Sequence, residues 1–381
     1  MQRGRLKMRR SKKFILLIAV IIMLSCSLTG CFNYRDINKV IFATTVICDT
    51  NENNDIILYY ECMVPFRSSG DSSEKGKREI YKGVGSSVLQ AAKDINSATS
   101  YEVNFSQCRS YIFSEKLARK GIQQYIDALN REQQFTIRPY VLVFLGDVND
   151  LIKKVNGDEE NIGTYVNELV NKTKYSPSAV ATTINQYLSE RYMDYDSTVM
   201  GALSIKQDGD TPRLLLNKAG VFRRDALIDI LDEMDTISYK ALNDDINTGV
   251  IQVNHPLNKE HKITLQIIES KTDSNINYND GITLEKNMWI KCNIGEVEGK
   301  LAIDDEVLKQ IEKNCEEELS TGIERTYNKY KKKKIDIFNI NKNIRSNFKE
   351  KNTSVNPIVN TKLKVNLKMK IIGSGTIEKS Y

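Results

Sequence analysis

Only two histidines occur in the chain, His255 and His261. They flank the turn-like Pro256-Leu257-Asn258-Lys259-Glu260, and no H-E-x-x-H or other ligand spacing surrounds them. They read as solvated loop residues rather than metal ligands or general bases. The adjacent pairs Asp244-Asp245 and Asp304-Asp305 have the right type for acid–base work. Neighbouring side chains on a helix point in different directions, however, so these carboxylates read as helix N-terminal charges. Gly83-Val84-Gly85 opens like a dinucleotide fingerprint, but Val88 stands where G-x-G-x-x-G needs its last glycine, and a helix N-terminus fits better. Neither a Walker A sequence nor a G-x-S-x-G elbow is present. The expectation is a protein that is not an enzyme, with no catalytic, metal or cofactor-binding residue.

One cysteine does suggest covalent chemistry. Cys31 closes Leu28-Thr29-Gly30-Cys31, behind a basic start and a short apolar run. Residues 1–13 carry Arg3, Arg5, Lys7, Arg9, Arg10, Lys12 and Lys13 with no acidic residue, and Phe14–Leu24 is uninterrupted apolar sequence. As a helix that run covers about 17 Å, short of the roughly 30 Å of bilayer hydrocarbon. Residues 1–30 therefore read as a signal peptide, and the Leu-x-Gly-Cys ending resembles the lipobox of bacterial lipoproteins. That resemblance implies cleavage before Cys31 and a covalent diacylglycerol on its sulfur, with or without N-acylation. Two acyl chains make a stable anchor.

Removing the leader takes away seven positive charges, so the formal net charge of +6 becomes −1 for the remainder. The basicity belongs to the leader, and nothing recommends nucleic acid as a partner. About 350 remaining residues exceed what one core usually serves, so two or three domains are expected. The other cysteines, Cys48, Cys62, Cys108, Cys292 and Cys315, are irregularly spaced without a C-x-x-C pair, against both a zinc site and a dense disulfide framework. Cys48 and Cys62 could face each other across an antiparallel hairpin, but each sits in an apolar strand where a buried thiol is expected, and the sequence leaves their pairing open.

The elements around these residues are mixed. Val40–Cys48 and Ile56–Val64 read as a hairpin, and the polar Ser68–Lys77 as a loop. A helix over Ser86–Ile95 precedes a strand at Tyr111–Phe113. Ser114 then reads as the N-cap of a helix interrupted at Gly121, and Tyr140–Leu145 as another strand. Two helices follow in Thr164–Met193, then strands at Val199–Ile205 and Leu214–Phe222. Helices are expected at Ala226–Met234 and Ile237–Leu242, and strands at Val250–Val253, Ile263–Ile268 and Gly281–Ile294. Lys362, Lys364, Lys368 and Lys370 alternate along Leu363–Ile372, as suits an edge or one-sided strand. The clearest element is a helix over 304–334, where Leu308, Ile311, Cys315, Leu319, Ile323, Tyr327 and Tyr330 make one apolar face. Acidic residues open it and Lys331–Lys334 end it, matching the helix dipole. The quartet also suits contact with an anionic surface. The class is α+β and multi-domain: a soluble body of two to three mixed units behind a lipid anchor. Residues 1–30 form the leader, 31–198 an N-terminal domain, 199–256 a middle subdomain, and 257–381 a C-terminal domain with the long helix.

Several segments, in order, resemble one family, the Ger(x)C proteins. The first is Cys31-Phe32-Asn33-Tyr34-Arg35-Asp36-Ile37-Asn38, where the family's usual aromatic is Trp rather than Phe32. Ile47-Cys48-Asp49 stands where Gly-Ile-Asp is common. The most specific block is Tyr111-Ile112-Phe113-Ser114-Glu115-Lys116-Leu117-Ala118-Arg119-Lys120-Gly121-Ile122 with Asp127-Ala128-Leu129-Asn130-Arg131-Glu132. Ala219-Gly220-Val221-Phe222-Arg223-Arg224-Asp225, Lys334-Ile335-Asp336-Ile337-Phe338 and Lys370-Ile371-Ile372-Gly373-Ser374-Gly375 complete the set.

The resemblance implies a three-domain α+β fold and a non-enzymatic lipoprotein C subunit of a nutrient germinant receptor. It implies A and B membrane subunits as partners, on the outer face of the spore inner membrane. Cys31 is the one functional residue it carries over, as the lipidation site, and no tight small-molecule ligand is expected for the isolated subunit. A lipid-anchored solute-binding protein of a nutrient uptake or sensing system is the alternative reading.

Overall fold

The computed structural model of the protein describes residue 18 and residues 39–64, 77–131, 138–154, 161–192, 197–209, 211–258, 260–277, 281–347 and 356–373. Cys31, with the segment 31–38, lies outside the described residues, as do most of the leader and residues 68–76 of the polar loop. The chain divides into units at 1–40 and 41–381, and the architecture below is that of the second.

In chain order the elements are β1 (Val40–Thr50), β2 (Ile56–Val64), β3 (Lys77–Gly85), α1 (Val88–Ala98), β4 (Glu102–Asn104), β5 (Ser110–Ser114), α2 (Glu115–Lys120), α3 (Gln123–Arg131), β6 (Tyr140–Phe144), α4 (Val148–Lys154), α5 (Ile162–Asn171), β7 (Thr182–Thr183) and α6 (Ile184–Tyr192). They continue with β8 (Ser197–Asp208), β9 (Thr211–Arg223), β10 (Ala226–Leu231), α7 (Glu233–Leu242), β11 (Gly249–Asn254), β12 (Lys262–Asn277), β13 (Ile282–Val297), α8 (Asp305–Lys333), α9 (Ile340–Asn347), α10 (Pro357–Asn360) and β14 (Thr361–Gly373). The α+β class expected from sequence is the class observed.

Ten strands form one sheet in the order β10-β9-β8-β6-β5-β1-β2-β3, with β4 beside β1 and β7 beside β6. Its centre, β1, β5, β6 and β8, pairs parallel, while the two ends are antiparallel. The continuous apolar runs of β5 and β6 follow from that position, since a parallel centre is covered on both faces. The strand period of two divides their side chains. Tyr111, Phe113, Val141 and Val143 join the core beneath α1, α2, α3 and α6, whereas Ile112, Leu142 and Phe144 join the opposite core beneath α4 and α5. Gly83 and Gly85 let α1 lie directly on β3: a Cβ at Gly83 would come within 2.1 Å of the Ala91 carbonyl oxygen. The two glycines are a packing device, and Ser87 supplies the helix cap.

The second sheet has the order β11-β12-β13-β14, antiparallel except for β14, which runs parallel to β13 as an edge. One of its faces is covered by α8, whose Ile311, Cys315, Leu319, Ile323, Tyr327 and Tyr330 are buried as their spacing predicts. The Asp304 carboxylate caps α8 by accepting from the Glu306 and Val307 N–H groups, and Lys334 ends it in the left-handed conformation.

One expectation is corrected, and strand pairing places two further features. Ala226–Met234 is not a helix: residues 226–231 form β10, hairpinned to β9 through Arg224 at φ 49°. Ala226, Leu227, Ile230 and Leu231 satisfy a helical period, but pairing with β9 wins and Asp232 starts α7 instead. Residues 199–256, read as a middle stretch, are shared between the sheets, β8–β10 extending the first and β11 pairing with β12 in the second. Cys48 and Cys62, whose pairing the sequence leaves open, are not register partners and carry the buried thiols expected of apolar strands. Their register partners are Leu58 and Ala43, and both are buried free thiols whose pKa burial raises.

Candidate functional site

Of the residues predicted to act, Cys31 lies outside the described residues. The remaining family-like blocks are almost wholly described, and the fold brings two groups of them together.

The first group forms where β1 and β5 lie side by side. Cys48 registers with Phe113, which sets Asp49 next to Ser114. The Ser114 hydroxyl caps α2 by accepting from the Leu117 N–H at 3.1 Å and donates to Asp49 Oδ1 at 2.5 Å. The chain then needs a left-handed residue to leave α2, and Gly121 supplies it at φ 123°. That turn presents the Ile122 N–H to the Asp225 carbonyl, 2.8 Å away in the β9–β10 hairpin. The Asp225 carboxylate accepts from the Tyr187 hydroxyl and pairs with Arg191 at 3.1 Å, while Arg191 also reaches Asp127 at 2.8 Å. The Gly121-Ile122 turn, Asp127 and Asp225 thus belong to one polar cluster, joined by α6. Burial and the bond to Asp225 push the Tyr187 phenol pKa up.

The second group lies at the basic end of α8. Lys329 Nζ meets Asp235 at 2.9 Å, Lys333 Nζ meets Asp229 at 2.5 Å, and the Tyr330 hydroxyl donates to Asp229 at 2.9 Å. Burial opposes charge on Asp229, yet Lys333, Tyr330 and Lys329 hold its carboxyl below the ordinary range. Lys331 donates to the Thr361 carbonyl oxygen. The lysine run therefore binds α8 to its neighbours in the fold, beyond capping its end. Just beyond, Asp336 closes the turn after α8. Its carboxylate accepts from the Phe338, Ile340 and Asn341 N–H groups, and its carbonyl accepts from Ser197 Oγ at 2.5 Å. Burial raises the Asp336 pKa, opposed by those backbone bonds. Phe338 packs against Tyr327 and Tyr330 with ring centroids 5.5 and 6.2 Å away. The Asp-Ile-Phe segment is thus a buried joint, tied to β8 by Ser197.

Neither carboxylate pair converges. Asp244 binds Lys286 and Ser274, Asp245 binds Lys240, and Asp304 is a helix cap. His255 departs from its reading as solvated. It is 4 % exposed, and its Nδ1 accepts from the Leu257 and Asn258 N–H groups at 3.1 Å each. Among the described residues no group of three His, Cys, Asp or Glu side chains could hold a metal ion. An apolar cavity of about 250 Å³ lies between α1, α3 and the sheet, lined in part by Leu58, Tyr60, Val88 and Leu129.

One polar centre escaped the sequence. Glu61 is fully buried in β2. Its carboxylate binds Arg78 at 2.6 Å and Thr44 at 2.8 Å, and takes the Ile162 and Gly163 N–H groups at the start of α5. The available signal was a lone carboxylate inside the apolar run Tyr59-Tyr60-Glu61-Cys62-Met63. A buried charge requires such partners.

Two family models match in chain order. One described as "Spore germination protein N-terminal domain" covers residues 33–205, and one described as "Spore germination B3/ GerAC like, C-terminal" covers residues 217–375. Spore germination protein GerQC of Bacillus cereus is 21% identical over 333 residues, 87% of this chain and 89% of that protein. Spore germination protein B3 of Bacillus subtilis (strain 168) is 23% identical over 270 residues, 70% of this chain and 69% of that protein. The crystal structure of the GerBC protein shares the fold, with a TM-score of 0.56 at 17% identity over 86% of this chain and 96% of that one. The two matches follow one another along most of the sequence, with 206–216 between them, in the order of the motifs that meet in the fold, and the chain belongs to the Ger(x)C family of spore germination proteins.

Proposed function

We propose that the protein is the lipoprotein C subunit of a nutrient germinant receptor, required for spore germination through assembly or signalling with A and B membrane subunits. The observation that carries this reading is the pair of family matches over 33–205 and 217–375. In this reading the acylated Cys31 tethers the folded body to the outer face of the spore inner membrane, and the chain performs no reaction of its own. No described helix is long and apolar enough to cross a membrane, consistent with attachment by other means. Diacylglycerol on Cys31 is the one covalent group required, and two acyl chains suffice for stable attachment.

The test is a Cys31→Ala chain expressed in the spore-forming host. Labelling with a palmitate analogue and fractionating spore membranes should give a labelled, membrane-bound parent and an unlabelled variant that is released or left as precursor. Crosslinking in intact spore membranes should trap an A or B subunit with the parent chain. Labelled, membrane-bound Cys31→Ala protein would remove the anchor from the proposal. Micromolar binding of an amino acid or sugar to the isolated protein, with no crosslinked partner, would replace it with the solute-binding reading.

A further inference from the structure

The face of the second sheet turned away from α8 is open and carries the chain's single tryptophan. Trp289 is 47% exposed, and the nearby Ile268 and Ile372 are 41% and 56% exposed. Strand register fixes its neighbours: Lys271 of β12 stands on one side of Trp289 and Lys368 of β14 on the other. One pair further along, Lys291 stands beside Lys370. An edge strand gains protection from a lysine or two, but protection gives no reason for an exposed indole among them.

The β14 lysines of this face are more exposed than the carboxylates they pair with. Lys364, Lys368 and Lys370 side chains are 60%, 75% and 68% exposed, whereas their carboxylate partners Glu285, Glu316 and Glu312 are 23%, 23% and 13% exposed. Glu316 and Glu312 are further engaged by the Met369 and Ile371 backbone N–H groups. Glu312 and Glu316 belong to α8, so Lys368 and Lys370 reach over the β14 edge toward them, while the exposed carboxylates of the face itself are Glu269, beside Lys291, and Asp273, beside Asn287. Against these stand the exposed Lys271, Lys291, Lys362, Lys364, Lys368 and Lys370, which leave the face with an excess of positive charge. An amphipathic indole ringed by outward lysines on apolar stems matches the chemistry of a lipid headgroup layer. Each lysine near an anionic surface contributes attraction on the order of 1 kcal/mol.

We propose that this face docks on an anionic phospholipid surface, with Trp289 entering the headgroup layer and Lys271, Lys291, Lys368 and Lys370 meeting lipid phosphates. Charge complementarity and the indole select this occupant over an acidic protein segment, which would satisfy the lysines but not require the tryptophan at their centre. The proposal stands apart from any role in a receptor, because the docking is a property of the sheet face.

The full-length protein is reconstituted into vesicles of phosphatidylcholine with and without phosphatidylglycerol. Trp289 is its own reporter, so membrane contact made by the N-terminal region does not contribute to the signal. With phosphatidylglycerol the emission should shift to the blue, become quenchable by brominated acyl chains, and lose both properties as salt is raised. Lys271→Glu/Lys368→Glu/Lys370→Glu should reduce the docked-to-undocked ratio by at least about a hundredfold, read on variant protein that still melts cooperatively, since the reversal also sets like charges beside Glu316 and Glu312. Should that variant fold poorly, the salt dependence of the parent decides alone. Emission indifferent to phosphatidylglycerol overturns the proposal and leaves an acidic protein as the better occupant. A folded charge-reversed variant that docks like the parent overturns it as well.

Discussion

Glu312 of α8 accepts the backbone N–H of Ile371 in the edge strand β14 at 2.8 Å. Glu316, one helical turn further on, does the same for Met369 at 2.8 Å. Four helical residues rise about 6 Å and two strand residues about 6.6 Å. An i,i+4 pair of carboxylates running against the strand direction therefore matches alternate edge amides. A long parallel edge strand would otherwise offer those amides to another chain.

Glu312→Ala/Glu316→Ala is accordingly expected to destabilise the protein by about 2 to 4 kcal/mol, since each bond joins a charged acceptor to a backbone donor. It should also promote concentration-dependent association. Urea unfolding and size-exclusion chromatography check both. Glutamine at the two positions keeps an acceptor oxygen and should recover monodispersity, so association of the glutamine variant equal to that of the alanine variant would refute the edge-capping role.

The contact between the block 111–132 and the hairpin at Asp225 makes a second expectation. Arg191 is 19% and Asp225 13% exposed at the side chain, with the Tyr187 hydroxyl on the same carboxylate. Asp225→Ala leaves a largely buried guanidinium with Asp127 alone and should cost about 2 to 4 kcal/mol. The Ile122 bond goes to the Asp225 carbonyl and should survive the substitution. A double-mutant cycle with Arg191→Met should show coupling above about 0.5 kcal/mol, and additivity would mean that the pair does not join these segments.

Elements with strong, unshared periodicity were readable from sequence. The α8 face repeats over eight turns, and the hairpin of β1 and β2 has a clear polar turn. β10 was not readable, because Leu227, Ile230 and Leu231 fit a helix as well as an edge strand, and only the β9 partner decides. Ser114 was visible as a cap because its target lies three residues away. Glu61 was not visible as a centre, because its partners at Ile162 and Gly163 lie about a hundred residues along the chain. His255 looked solvated because its burial depends on how the turn to His261 folds back. Local chemistry was legible, and polar groups satisfied by distant elements were not.

Glu61 gives a third expectation. The fully buried carboxylate neutralises Arg78 and receives two N–H groups at the start of α5. Glu61→Ala removes the acceptor of Arg78, Thr44 and the Ile162 and Gly163 N–H groups in a covered site and should cost about 3 to 5 kcal/mol. Glu61→Gln keeps one acceptor oxygen and should cost less while still leaving Arg78 without its counter-charge. Thermal melting should rank parent, glutamine and alanine in that order. Equal loss for both would mean that the charge, rather than the hydrogen bonds to α5, carries the contribution.

The last expectation concerns pH. His255 is buried, and its Nδ1 accepts two backbone N–H groups, so that nitrogen carries no proton in the fold. Burial, and then the nearby His261, lower its pKa from 6.5. The unfolded chain therefore takes up a proton near pH 6.5, while the folded chain does so only at lower pH. Across that window the unfolded state binds more protons, and the imidazole's contribution, complete above about pH 6.5, is lost as pH falls through the folded value. Asparagine at this position retains an acceptor for the turn but does not titrate. Melting temperatures of the parent and His255→Asn, followed from about pH 7 to about pH 5, should diverge, with the parent falling more steeply. The depressed carboxyls of Asp229 and Asp235 lie below the ordinary value of 3.8 and do not titrate in this window. Parallel curves would show that the buried imidazole is not the group that sets the decline.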